Sequence, residues 1–303
     1  MDNPPLVSVI VITYNSAATV TETLDSIKNQ DYQNIELIIS DDCSKDDTTG
    51  IVENWLDENG SCFVSSRLVT TSINTGVSAN LNRGIAKSHG TWIKPIAGDD
   101  LLLPDCISTN VLFTKTDAEI QAVFSRAKFF GDPVTCKQYE NFGYGLFGLN
   151  SRERYLIILS YNTIIAPASF IRRQYFDVVG GYNESIPFIE DWPFWIRMFK
   201  EDANIVFINK ETVKYRMGSS LSLGNGGGNK FKESYALVLA YAYECQMQEN
   251  LIYKMYAFLT KRQREKKSRW YSILLKTNFY YYYYRYLERK KSLASNKLDA
   301  QFK

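Results

Sequence analysis

The chain opens on a nearly unbroken apolar and β-branched run, Leu6 to Tyr14, which predicts a strand covered on both faces. Val20, Leu24 and Ile27 then recur at the i, i+4, i+7 spacing of a helix that Asn15 or Ser16 is placed to cap. Ile35 to Ser40 predicts a second short strand ending at Asp41-Asp42. From about Asp47 a second helix gathers Ile51, Val52, Trp55 and Leu56 on one face and meets Gly60 as its stop. Phe63 to Thr70 follows as a strand, Ser78 to Ser88 as a helix and Thr91 to Ala97 as a strand. Alternation of this kind predicts an α/β domain, a mostly parallel central sheet flanked by helices.

Past Pro104, itself expected early in a helix, the pattern loosens. It predicts strands at Ile120–Phe130, at Thr163–Ile171 through Pro167, and at Ile205–Tyr215. Helices are expected at Arg152–Ser160, Arg173–Val179 with Gly180-Gly181 as its stop, and Trp192–Lys200. Gly218 to Asn229 is too rich in Gly, Ser and Asn for a regular element. From Lys230 onward the chain reads as helix. That change of composition divides it into residues 1–225, the α/β domain, and residues 226–303, a helical extension rich in basic and aromatic side chains.

A length of 303 residues with 45% hydrophobic content is enough for a full α/β core. The net charge of +2 argues against bulk binding to nucleic acid. Five cysteines at irregular spacing, with no C-x-x-C pair, fit reduced thiols in a cytoplasmic protein. The one histidine, His89, reads as a cation at a helix end. Zinc chemistry and a Ser-His-Asp triad thereby lose the imidazoles they need. No signal peptide or bilayer-length apolar run is expected.

Polar groups cluster where strands end: Thr13-Tyr14-Asn15, Asp41-Asp42, and Asp99-Asp100 after Trp92–Ala97. In a parallel sheet these ends face one crevice. Adjacent acids repel, so a cation beside them is expected, and a divalent metal carrying a phosphorylated ligand suits both. The plainer reading of Gly98-Asp99-Asp100 is a solvated turn starting a helix.

These fragments, taken with Asn74-Thr75-Gly76-Val77, Asn82-Arg83-Gly84, Ala97-Gly98-Asp99-Asp100 and Gly180-Gly181-Tyr182 before Glu190-Asp191-Trp192, resemble in order and spacing the motifs of family 2 glycosyltransferases, over residues 6 to 217. The resemblance implies a GT-A fold, a nucleotide-sugar donor (a UDP-sugar first), a divalent cation (Mn2+ or Mg2+) and inversion at the anomeric carbon. It assigns Thr13, Tyr14, Asn15, Asp41 and Asn82 to the donor pocket, with Asp41 on the base. Asp99 and Asp100 stand in the family's Asp-x-Asp region, touching ribose and metal, and Asp191 matches the catalytic base. Ala97 replaces the first acid found in many members. A histidine that often follows Tyr-Arg is replaced by Gly218, leaving Arg216 to neutralise charge. For Asp191 the plain alternative is a first-turn helix acid, with Pro193 beside it. Trp192, Phe194 and Trp195 could wall a sugar site or serve as core.

The resemblance therefore implies an inverting, metal-dependent transferase that moves a sugar to a hydroxyl of a glycan acceptor, free or lipid-linked, in bacterial surface polysaccharide or lipopolysaccharide O-antigen assembly. The alternative is a non-catalytic nucleotide-sugar-binding or assembly module of the same fold. A nicotinamide dehydrogenase stands well behind, since no G-x-G-x-x-G follows the first strand. The Gly-rich segment 218–230 reads equally as a linker or as a lid over bound donor. In the tail, basic residues interleave with Trp270, Tyr271, Phe279 and Tyr280–Tyr284. That mixture suits peripheral contact with the cytoplasmic face of the inner membrane. Packing on the catalytic domain or in a homodimer suits it as well, and RNA binding less so, with no RNA-binding motif beside it.

Overall fold

The computed structural model describes residues 4–139, 142–218, 228–266 and 269–302. Four strands, β1 (Val7–Thr13), β2 (Ile35–Asp41), β3 (Ser65–Thr70) and β4 (Trp92–Ala97), pair in parallel in the order β3-β2-β1-β4. Helices α1 (Val20–Lys28), α2 (Thr48–Asn59) and α3 (Val77–Ala86) make the crossovers. In β1, Val7, Val9 and Val11 enter one core with α1 and α2, while Ile10 enters the other with Leu81 of α3. Burial on both faces is why the run shows no polar alternation.

The second half of the sheet is mixed. After β5 (Leu101–Leu102) and α4 (Cys106–Thr114) come β6 (Ala122–Gly131), α5 (Pro133–Gln138), α6 (Ser151–Ile158), β7 (Ser169–Arg172), α7 (Arg173–Val179), α8 (Asp191–Lys200) and β8 (Ile205–Met217). The eight strands lie in the order β3-β2-β1-β4-β7-β6-β8-β5, with β7 antiparallel to both β4 and β6. Strands β6 and β8 are parallel, and β5 runs antiparallel along β8.

Several local expectations are corrected. Helix α1 starts at Val20 with Thr19 at its cap: Asn15 adopts a left-handed φ of 52°, and the Ser16 carbonyl accepts from Thr19 and Val20 N–H in a preceding turn. Gly60 does end α2, as expected, but as a C-cap with a right-handed φ of −57° that leads into a 3-10 turn, Gly60–Cys62. Of the strand expected over 163–171 only Ser169 onward pairs, because Pro167, lacking an N–H, sits in a 3-10 turn at Ala166–Ala168. Pro104 precedes α4, which starts at Cys106. His89 lies beyond the end of α3 at Ala86, and its Nδ1 stands 2.8 Å from the buried Glu36 carboxylate of β2, so its partner is that acid and not a helix end.

The C-terminal helices are α9 (Gly228–Gln246), α10 (Leu251–Lys266), α11 (Arg269–Leu275) and α12 (Phe279–Phe302). Val238, Tyr253 and Leu287 are buried in the same core as α6 and α8. Lys290 pairs with Glu153 at 2.7 Å, and Arg126 with Asp299 at 2.6 Å. The boundary expected between residues 225 and 226, and most of the segment read as linker or lid, lie outside the described residues.

Candidate active site

In register, Thr13 pairs with Asp41 and Ile12 with Ala97, so the carboxyl ends of β1, β2 and β4 come level. A cavity of about 710 Å3 opens above them. Thr13, Tyr14 and Asn15, then Asp99, Asp100 and Arg216, and then Glu190 and Asp191 all line it. Residues about two hundred positions apart in sequence thus share one crevice, as sheets of this kind arrange.

The adjacent acids where β2 ends, Asp41 and Asp42, differ. Asp41 is buried and accepts from Thr13 Oγ1 at 2.8 Å, Ser44 N–H at 2.9 Å and Ser44 Oγ at 2.5 Å, outside the residues lining the cavity. Asp42 lines it, and binds Thr75 N–H and Oγ1, Gly76 N–H and the Arg83 guanidinium. Gly76 is needed there: its φ is +89°, and a Cβ would lie 2.6 Å from Pro187. Asn82 is likewise away from the cavity. It clamps Tyr182, donating to its carbonyl at 2.9 Å and accepting its N–H at 2.9 Å, while Asn80 lines the cavity in its place.

Asp99 and Asp100 stand side by side. Burial raises the Asp99 carboxyl, with the Arg216 charge opposing; burial and then the charge of Asp99 raise Asp100 well above the usual range. Asp100 Oδ1 accepts the Arg216 N–H at 2.8 Å, and Arg216 Nε donates to the Asp99 carbonyl at 2.7 Å. The guanidinium also meets Glu22 at 2.5 Å and lies 4.4 Å over the Phe130 ring. Beneath them Lys94 is wholly buried, bonded to the carbonyls of Pro167 and Ser169, and burial lowers its pKa. Two dehydrated carboxylates short of positive charge fit a divalent cation such as Mn2+ or Mg2+, whose coordination a diphosphate and water would complete. Among the described residues no group of three acidic, His or Cys side chains forms a closed metal cage. Gly218, where a histidine was absent from the expected pattern, has φ +109° and a notional Cβ 2.8 Å from Asp132.

Asp191 begins α8. Its Oδ2 accepts from Asn162 Nδ2 at 2.6 Å and its Oδ1 from Trp192 N–H at 2.7 Å. Burial raises its pKa against those donors. Glu190, next to it, is pushed up to about 8 by burial and then by the charge of Asp191. Trp192 lines the cavity, its Nε1 fixed on the Ile158 carbonyl at 2.6 Å, whereas Phe194 and Trp195 are core.

Asp42, Asn80 and Asn162 are cavity residues that no motif assigned. Every residue of β2 is buried, and so is Asp42 just after it, so alternation could not say which of the adjacent acids faces the crevice. Asn162 lies in an irregular segment with no signal beyond the need for something to orient Asp191.

The model of glycosyl transferase family 2 matches residues 8–180. Among curated proteins, Escherichia coli WfaP, a UDP-Glc:alpha-D-GlcNAc-diphosphoundecaprenol beta-1,3-glucosyltransferase, is 27% identical over 75% of this chain and 82% of its own length. Curated relatives matched are covered over 35% to 82% of their length. Among solved structures, S. aureus TarS 1-349 in complex with UDP-GlcNAc superposes with a TM-score of 0.62 at 20% identity, covering 86% of this chain and 73% of that one. The mannosyltransferase PcManGT from Pyrobaculum calidifontis, in complex with GDP-Man and Mn2+, gives 0.58 at 16% identity, over 98% and 87%. The fold is that of the GT-A glycosyltransferases.

Proposed function

The chain belongs to glycosyl transferase family 2, and from that premise we propose that it moves a sugar, with inversion, from a nucleotide-diphosphate sugar to a glycan hydroxyl. A UDP-sugar is the donor, as WfaP and the TarS complex favour, and the acceptor is a lipid-linked glycan, as the name of WfaP favours. The setting is surface polysaccharide or O-antigen assembly at the cytoplasmic face of a membrane. One observation carries the reading: Asp99-Asp100 and Asp191 wall the same cavity from different elements.

Tyr14, Asn15 and Asp42 take the nucleoside end. Asp99 and Asp100 would hold the divalent cation, which when bound offsets the negative charge growing on the departing diphosphate. Arg216 adds a fixed positive charge beside them. Asp191 accepts the proton of the acceptor hydroxyl as its oxygen bonds to the anomeric carbon and the carbon–diphosphate oxygen bond breaks. A single displacement from the opposite face inverts that carbon and requires no covalent enzyme intermediate. Trp192 offers an apolar ring to the sugar.

Asp191→Asn tests this. Transfer from UDP-sugars is expected to fall by about a thousandfold, a range usual for loss of a general base, while UDP still stabilises the variant against heat. Full activity in the variant would remove Asp191 from the chemistry and with it the reading.

A further inference from the structure

Charge is divided sharply along the sequence. Residues 1–250 carry 21 Lys and Arg against 30 Asp and Glu; residues 251–303 carry 14 against 3. A near-neutral total thus conceals an acidic body and a strongly basic end.

Each of the last three helices also exposes an apolar stripe at helical spacing. On α10 it is Leu251, Met255 and Phe258, opposite the buried Tyr253 and Ala257. On α11 Trp270, Ile273 and Leu274 are 72%, 55% and 41% exposed, while Leu275 is buried. On α12 Phe279, Tyr282 and Tyr286 are 64%, 59% and 55% exposed, while Leu287 is buried. The three helices are tied together. Gln263 Nε2 donates to Ser272 Oγ at 3.0 Å, and Asn278 Nδ2 to the Ile252 carbonyl at 3.1 Å, which sets exposed Ile252 beside the start of α12. Arg262 lies 5.4 Å over Phe258 and Arg285 5.9 Å over Tyr281, cationic heads next to apolar rings. Among the described residues no helix is long and apolar enough to cross a membrane.

Resting on the reading of a lipid-linked acceptor, we propose that these outer faces of α10, α11 and the first turns of α12 form a docking surface for an anionic lipid bilayer, which they enter to headgroup depth. Aromatic and aliphatic side chains beside Lys and Arg match the layered polarity of that interface, with tyrosine and tryptophan at the boundary. About 1 kcal/mol per basic residue near an anionic surface makes a cluster of this size an effective anchor. A second copy is the less apt occupant, because pairing two such faces would set like charge against like. Docking there brings the enzyme to the membrane that carries the acceptor.

The test is co-flotation of the full chain with large unilamellar vesicles. Binding is expected to vesicles of phosphatidylglycerol and phosphatidylethanolamine, weakly to phosphatidylcholine alone, and less in about 0.5 M salt, where surface charge is screened. The triple variant Met255→Ser, Phe258→Ser, Ile273→Ser should bind anionic vesicles at least about tenfold less, by loss of apolar burial. Stabilisation by UDP, measured on the same preparations, reports whether that variant is folded and whether the donor site works. Vesicle binding without a UDP response would sink the enzymatic reading and leave the docking surface standing. The docking proposal is overturned if the parent fails to float with anionic vesicles, if the folded triple variant floats as well as the parent, or if the stripes prove to join a dimer that ignores vesicles. Should Met255→Ser and its companions not fold, Lys254→Glu with Arg262→Glu serves, with the same tenfold loss expected.

Discussion

Glu190 and Asp191 compete for one proton at the head of α8. Asp191 accepts from Asn162 Nδ2 and Trp192 N–H, whereas only a backbone N–H opposes the rise at Glu190. Burial and the charge of Asp191 push Glu190 up to about 8, while at Asp191 the donors Asn162 Nδ2 and Trp192 N–H oppose the rise that burial causes and favour the charged form a base requires. Removing a donor should undo that division. In Asn162→Ala the acid limb of the kcat/KM profile is expected to move to higher pH, with roughly a tenfold loss of rate at neutral pH, since one charge-assisted bond to the base is gone. An unchanged limb would leave Asn162 with a merely structural part. The same pair bears on stability. Glu190 is raised from 4.5 to about 8, so the folded chain holds a proton that the unfolded chain has released over that interval. Its contribution is full below the unfolded value and is lost as pH rises through about 8. The melting temperature of the parent should thus decline from about pH 5 to about pH 8, and Glu190→Gln should flatten that decline.

Among the described glycines, Gly145 meets the tightest approach, that of α12. A Cβ placed on Gly145 would lie 1.9 Å from the Lys291 carbonyl and 2.9 Å from Ser295 N, both backbone atoms of α12 that cannot rotate away. Gly145→Ala should destabilise the chain by about 1–3 kcal/mol in urea unfolding, the usual cost of overpacking, and loosen α12. A wild-type midpoint would show that the helix can shift without loss. Nothing in the sequence marks Gly145 for this role, because its partner is more than a hundred residues away. Elements with local periodicity were legible: the runs that became β1, β2 and β4 announced a sheet buried on both faces, and the motifs at their ends announced the crevice. Elements decided by distant contacts were not. Strand β5 is two residues long and exists only through pairing with β8, and β7 is trimmed by Pro167. Of the adjacent acids at the end of β2, only the side-chain environment separates Asp41, bound by Thr13 and Ser44, from Asp42, which lines the cavity.

For the whole molecule, composition and packing draw different boundaries. The glycine-rich segment divides the chain by composition and the excess of positive charge begins after it, yet the core runs across that division. Leu287 is fully buried beside α6, and Tyr280, Tyr283 and Tyr284 pack on the same cluster. Glu153, buried at the start of α6, has Lys290 of α12 as its ionic partner, so loss of α12 would leave a dehydrated carboxylate without a counter-charge. A basic, aromatic extension thus has two sides with different work: one completes the hydrophobic core of the α/β body, and the other is left facing outward with its stripes and its charge. An extension built this way cannot unfold by itself. Urea unfolding of the full chain followed by far-ultraviolet and near-ultraviolet circular dichroism should give one coincident transition, the mark of a single cooperative unit. A chain ending at Asn278 should lose near-ultraviolet signal and bind a hydrophobic dye such as ANS, since the surface that α12 covers would be open to water. Two separated transitions in the full chain, or a truncated chain that keeps its near-ultraviolet signal and excludes the dye, would show instead that the extension is a separable appendage and that its burial contributes little to the fold.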